Sequence, residues 1–171
     1  MMRVFCFLLL FQSLAVKAAD FYFAPVSPRG IISESWDGQR ELRSAVSLTF
    51  SWQGRSFELA IDGSRHSWFE SLGNLSILEE VETKGLIFRW VIGEKPVNFL
   101  LGTGVFQSTS RIDTRLGGEL TSIRSSPELI PAFEGGVRGH LTKFVYWETG
   151  VRQMFKERGD IQILTALGLT L

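Results

Sequence analysis

Arg65-His66-Ser67, with Glu70 close behind, places an imidazole, a hydroxyl and a carboxylate within one short segment. Those are the parts of an acyl-transfer site, in which a base takes the nucleophile's proton and an acid orients the base. The spacing works against that use. Adjacent residues on a strand point to opposite faces, so His66 and Ser67 diverge if the segment is extended, and only a loop would let them meet. His140 is the other histidine of the chain, within pairing range of Glu134 or Glu148, and reads as a lumen or turn residue rather than a base. No pair of histidines or carboxylates has metal-ligand spacing. None of the glycines at positions 102, 104, 135, 136 and 139 opens a helix after a buried parallel strand, so they do not form a phosphate loop. Neither a metal nor any other cofactor is expected.

A second group of polar residues is larger and more regular. Glu58 and Asp62, Arg89, Glu134 with Arg138 and His140, and Glu148 with Arg152 each sit on one side of a short run whose other side is apolar. The runs themselves alternate with a period of two, the signature of strands. In one, Val46, Leu48, Phe50 and Trp52 oppose Ser47, Thr49, Ser51 and Gln53. Phe57, Leu59 and Ile61 then oppose Glu58, Ala60 and Asp62. Further runs follow at Leu86 to Ile92, Asn98 to Ser108, Phe133 to Leu141 and Val145 to Phe155, and the last occupies Ile161 to Leu171. With a first strand inside Asp20 to Ile32, where Pro25 and Pro28 remove ladder donors, the count is eight.

The compartment follows from the opening residues. Met1 to Arg3 form a short positive region, Val4 to Leu14 are almost wholly apolar, and Val16-Lys17-Ala18 offers small residues for cleavage before Ala19, so residues 1 to 18 are expected to be an export signal and 19 to 171 the mature domain. Losing Arg3 and Lys17 leaves 16 basic residues against 18 acidic, a balance that creates no field for nucleic acid. Cys6, the chain's single cysteine, leaves with the signal, so no disulfide holds the domain. Beyond residue 19 no apolar stretch reaches the roughly eighteen residues a helix needs to cross a bilayer.

A period of two fits a soluble sandwich as well as a membrane barrel. The connections favour the barrel. The joints Leu141 to Lys143, Gly93 to Pro96 and Gln53 to Arg55 are short and fall at one end. Those at the other end, Ser33 to Leu42, Gly63 to Lys84 and Thr109 to Pro127, are long, and only Lys156 to Asp160 is brief. Short turns inside and long loops outside are the asymmetry of outer-membrane barrels. Within the second loop, Trp68 to Glu82 carries Leu72, Leu75, Leu78 and Val81 at roughly helical spacing, and it is read as an outer loop with a short helix or a strand extension. Trp52, Trp90, Trp147, Phe88, Phe99, Phe133 and Phe155 on the apolar faces suit interfacial girdles.

In this layout the chain resembles the small eight-stranded outer-membrane barrels of Gram-negative bacteria. The most recognisable patch is Lys95-Pro96-Val97-Asn98-Phe99-Leu100-Leu101-Gly102-Thr103-Gly104-Val105, a Pro-led turn entering a strand with alternating glycines. The stretch from Lys95 to Phe155 looks most like the lipid A 3-O-deacylases. Those enzymes carry a His-x-Ser-Asn motif that is absent here, where Gln153, Met154 and Phe155 follow Gly150-Val151-Arg152 and none can act as a base. Leu171 also stands where such barrels usually end in an aromatic residue.

The resulting expectation is an all-β, eight-stranded antiparallel up-and-down transmembrane barrel in the bacterial outer membrane. Its lumen is filled by the paired charges of Glu58, Asp62, Arg89, Glu134, Arg138, His140, Glu148 and Arg152, with no open pore. Its expected partners are outer-membrane lipid, lipopolysaccharide and the barrel-assembly machinery, with the chain itself a monomer. The expected role is non-enzymatic, structural or adhesive or ligand-binding, through the outer loops. An outer-leaflet lipid A hydrolase built on His66, Ser67 and Glu70, and a narrow solute channel, are the alternatives.

Overall fold

The computed structural model of the protein describes residues 20–34, 40–156 and 159–171. The export signal expected over residues 1–18 lies outside them, as do the centre of the first long loop and part of the last one. Nine strand segments follow in order: β1 (Asp20–Glu34), β2 (Arg40–Gln53), β3 (Phe57–Leu72), β4 (Leu75–Glu94), β5 (Val97–Leu116), β6 (Glu119–Arg124), β7 (Glu128–His140), β8 (Val145–Met154) and β9 (Asp160–Thr170).

Every neighbouring pair is antiparallel, β9 returns to β1, and β4 pairs with β5 along its whole length, so the sheet closes on itself. β6 pairs with the far part of β5 and β7 with the near part, so the two make one wall strand interrupted at Ser125-Ser126-Pro127. The result is a closed eight-stranded barrel. Closure pairs the ladders around the ring, while beyond Arg65 β3 has only β4 as a neighbour and β6 has only β5.

Alternation decides which residues face where. Side chains at Val46, Leu48, Leu59, Ile61, Leu86, Phe88, Trp90, Phe99, Leu101, Phe133, Val151, Leu167 and Leu169 are exposed on the outside, while Ser47, Glu58, Asp62, Arg89, Glu134, Arg138 and Arg152 are buried within. The barrel is therefore inside out relative to a soluble protein. At the end with the short turns, an aromatic run wraps the outer wall: Trp52 meets Phe57 at 5.5 Å between ring centroids, Phe57 stacks on Phe88 at 5.9 Å, and Phe88 meets Trp90 edge-on at 5.1 Å.

Two sequence expectations need correction. Gly63 to Lys84 and Thr109 to Pro127 are not loops, and of the two alternatives for Trp68 to Glu82 the strand extension holds and the short helix does not. β3 and β4 remain paired up to Leu72 opposite Leu75, with Gly73-Asn74 as a two-residue turn. β5 and β6 likewise pair up to Leu116 opposite Glu119 around Gly117-Gly118. Gly73, Gly117 and Gly118 have φ of 60°, 59° and 97°, the left-handed values that tight hairpin turns require and glycine supplies without strain. Leu72 and Leu75 are paired across this turn and Leu78 lies three residues further along β4, opposite Phe69, so their three-residue spacing is not that of a helix.

The first strand has its own irregularity. Ala24 faces Thr49 but Ser27 faces Ser47, so β1 carries one residue more than its partner around Pro25-Val26. This bulge accommodates the prolines in a paired strand. It also reverses the facing: Tyr22 and Ala24 are buried before it, Ser27, Arg29 and Ile31 after it.

Candidate functional site: the charged lumen and its outer rim

The eight interior charges are delivered by the inward parity of five strands. Arg29 comes from β1, Glu58 and Asp62 from β3, Arg89 from β4, Glu134 and Arg138 from β7, and Glu148 and Arg152 from β8. Room for them is made by small neighbours. Gly102 of β5 lies directly opposite Arg89, and a methyl group there would come within 2.9 Å of the Arg89 stem and 3.0 Å of the Phe88 carbonyl oxygen.

The charges form one alternating chain. Arg29 donates to both Asp62 oxygens at 3.1 and 2.8 Å. Arg152 lies 2.6 Å from Asp62 and donates from Nε to Glu134 at 2.8 Å. Glu134 accepts from Arg89, which also reaches Glu58 at 2.7 Å and Glu148 at 3.3 Å. Arg138 bridges Glu58 and Glu148, donating to Glu148 at 3.0 Å from Nε and 2.6 Å from Nη2. Gln162 and Gln53 accept at the margins from Arg29 and Arg138, each at 3.2 Å. Four guanidinium groups thus meet four carboxylates, so the buried charge sums to zero while each group keeps opposite partners, the condition under which ions survive in a low-dielectric interior.

Both ends of this network are capped. Towards the short turns, Arg138 lies between two tyrosines, 4.0 Å from the Tyr22 ring centroid and 5.1 Å from that of Tyr146. Towards the hairpins, Arg152 is covered by Phe106 at 4.5 Å, which belongs to an apolar layer with Ala60, Ile87, Ile130, Ala132 and Met154. A small void of about 20 Å³ remains beside Arg29, Arg89, Glu148 and Arg152, on the scale of a single water. Paired charges and the apolar layer thus occupy the lumen between the two caps.

His140 is not joined to this network. It ends β7 at the short-turn rim, where its ring meets Tyr22 edge-on at 5.8 Å, away from the carboxylates of Glu134 and Glu148. Arg29 and Gln162 belong to the network although the sequence reading did not single them out. Arg29 was hidden by the β1 bulge, which breaks the period of two, and Gln162 by its lack of charge.

The alternative triad does not assemble. His66 points inward and is half-buried, Ser67 points outward and is exposed, and Glu70 lies a full repeat further along β3. His66 Nδ1 has no hydrogen-bond partner, hydroxyl or other, among the described residues. Among the described residues no group of three or more His, Cys, Asp or Glu side chains gathers to hold a metal ion.

Comparison with known proteins places this architecture in a recognisable class. No family model and no curated protein matches the sequence. Solved structures do match, and all three described here are closed barrels of this kind. Neisserial surface protein A superposes with a TM-score of 0.73 at 14% identity over 91% of this chain and 100% of its own. Ail, the attachment invasion locus protein of Yersinia pestis, gives 0.63 at 8% identity over 90% and 97%. The N-terminal barrel domain of Pseudomonas aeruginosa OprF gives 0.56 at 8% identity over 90% and 96%. At such identities the likeness is one of fold: a small eight-stranded antiparallel barrel of the kind these Gram-negative outer-membrane proteins share.

Proposed function

We propose that the protein is an integral barrel of the bacterial outer membrane, closed to solutes and without catalytic activity, whose specific task is carried by the two hairpins that rise beyond the bilayer. The observation that carries this reading is the inverted distribution of polarity. Apolar side chains face outwards around the wall and neutralised charge fills the inside, an arrangement stable only when hydrocarbon is the outer solvent.

Strand lengths support an uneven profile. β8 and β9 have 10 and 11 residues, close to the roughly 9–11 that a tilted strand needs to cross. β4 and β5 have 20 each, so about half of each stands clear of the hydrocarbon. Above Ile61 on β3 and Leu86 on β4 the outward residues become Arg65, Glu82 and Lys84, which marks where the apolar band ends. The hairpins then present a rigid, paired surface, suited to adhesion or ligand capture; a similar fold serves in Ail, named for attachment and invasion and also solved with the heparin analogue sucrose octasulfate. The short-turn end faces the periplasm on this reading, and the partners are outer-leaflet lipid and the assembly machinery that inserts such barrels.

The test is direct. The folded protein in detergent should migrate differently before and after boiling, float with liposomes after insertion, and give no stepwise conductance in planar bilayers. Recovery as a soluble monomer after periplasmic release would refute the membrane reading, and discrete conductance would refute the closed lumen. Loss of an acyl chain from lipid A that depends on this protein would refute the absence of catalysis.

A further inference from the structure

Two hollows meet on the outer wall where the apolar band ends. The lower one, about 270 Å³, is lined by Val46 and Leu48 and lies across Gly63, whose missing side chain leaves a notch between Leu48 of β2 and Lys84 of β4, with Arg65 two residues further along β3. A methyl group placed at Gly63 would touch only one atom, the Thr83 carbonyl oxygen at 3.9 Å, so the notch is open space rather than a packing necessity. The upper hollow, about 210 Å³, is lined by Arg65, Arg111 and Arg124 with Glu80, Glu82 and the hydroxyl-bearing Thr109 and Ser110. Arg65 and Glu82 belong to both.

The charge arrangement of the upper hollow is unusual. Arg111 and Arg124 stand directly opposite each other across the β5–β6 pair, a like-charge placement that costs stability unless something negative lies between or beside them. The acids nearby are already engaged: Glu80 holds Arg65 at 3.0 Å, Glu82 holds Lys84 at 2.9 Å, and Asp113 holds Arg111 at 3.0 Å. Among the described residues Arg124 has no ion-pair partner. One cation is therefore in excess, and four converge within one patch.

An apolar notch at Gly63 and surplus guanidinium further along the same strands, joined through Arg65 and Glu82, match the two halves of a lipid. We propose that this face of β2 to β6 binds a membrane lipid bearing a phosphate headgroup, with an acyl chain lying over Gly63 against Val46 and Leu48 and the phosphate meeting Arg65, Arg111 and Arg124. Guanidinium forks suit phosphate oxygens, and a site at the edge of the hydrocarbon desolvates the pair enough to strengthen it. This inference rests on the membrane reading above, because it places the boundary of the bilayer at Arg65 and Lys84.

The test uses the full-length folded protein in zwitterionic detergent, examined by native mass spectrometry. The probes are a bis-phosphorylated glucosamine-disaccharide lipid, its dephosphorylated form, and inorganic phosphate as competitor. Wild-type protein should retain the phosphorylated lipid, and the double variant Arg111→Ser/Arg124→Ser should retain it about tenfold less, the loss of roughly one charge-assisted hydrogen bond. Gly63→Val, which fills the notch without altering charge, should weaken lipid retention while leaving Arg111 and Arg124 in place. Retention by either variant equal to that of the wild type, equal retention of the dephosphorylated lipid, or ready displacement by inorganic phosphate would each overturn the proposal. All three proteins are also checked for heat-shifted migration and liposome insertion, so that a failed barrel is distinguished from a failed lipid site.

Discussion

The lumen and the outer hairpins use the same chemistry in opposite solvents. Inside, Arg89, Arg138 and Arg152 keep side-chain exposures of 2%, 1% and 1%, and each touches at least two carboxylates. On the outer wall, Arg65, Lys84 and Arg111 pair at similar distances yet keep 67%, 69% and 53% exposure. An ion pair in water contributes about 0–1 kcal/mol, because solvent offers each partner nearly as much as the other does. In the lumen the pair itself adds little net stability, but removing one member strands its partner where water cannot reach. Identical contacts thus fix the structure in one region and leave it free to change in the other.

That contrast can be broken most forcefully at Glu58, which accepts from both Arg89 and Arg138. Glu58→Ala should cost about 3–5 kcal/mol by leaving buried cations unpaired, read as a lower urea midpoint for loss of the heat-shifted band. Gly102→Val should follow, at about 1–3 kcal/mol, since its side chain must displace the Arg89 stem or the strand itself. Gly117→Ala forces a side chain into a left-handed turn and should cost about 1–2 kcal/mol. Its effect should be local, seen as faster proteolytic nicking near Leu116 with an unchanged barrel midpoint. The smallest change is expected for Arg65→Ala, within about 1 kcal/mol on the same urea assay. A loss from Arg65→Ala as large as that from Glu58→Ala would end the distinction between the regions.

Acid sharpens the same comparison. The Asp113 carboxyl is held below its ordinary range, chiefly by the hydrogen bond from the Ser122 hydroxyl and then by Arg111. A lowered folded pKa means stability that is present above the unfolded value and is lost as pH falls through the folded one. Amide exchange at the β5–β6 hairpin should therefore quicken on acidification below the usual aspartate range, and Asp113→Asn should remove that pH dependence.

How much of this was readable beforehand follows the same division. Within the apolar band one face meets one environment and the other face another, so Val46 to Trp52 and Leu86 to Ile92 announce their orientation by period alone. Past Arg65 and Lys84 both faces are wet or partly so, the period fades, and β3 to β6 read as loops although Gly73-Asn74 and Gly117-Gly118 are fair hairpin turns. Arg29 was illegible for a different reason. A single extra residue at Pro25-Val26 turns every later side chain of β1 to the other face, and no local pattern records an insertion whose partner lies on another strand. The failure of His66, Ser67 and Glu70 to converge, by contrast, follows from strand geometry as soon as the segment is known to be extended.

The seam where β1 meets β9 has a consequence for assembly. Arg29 belongs to the first strand, its carboxylate to the third and its amide partner Gln162 to the last, so its positive charge finds complete company only when the sheet has come full circle. An incompletely zipped ribbon would keep Arg29 with Asp62 but leave it without Gln162, and leave Asp62 without Arg152. The finished ring therefore differs from every partial one by a large electrostatic step, and a chain that has joined its ends has little tendency to reopen.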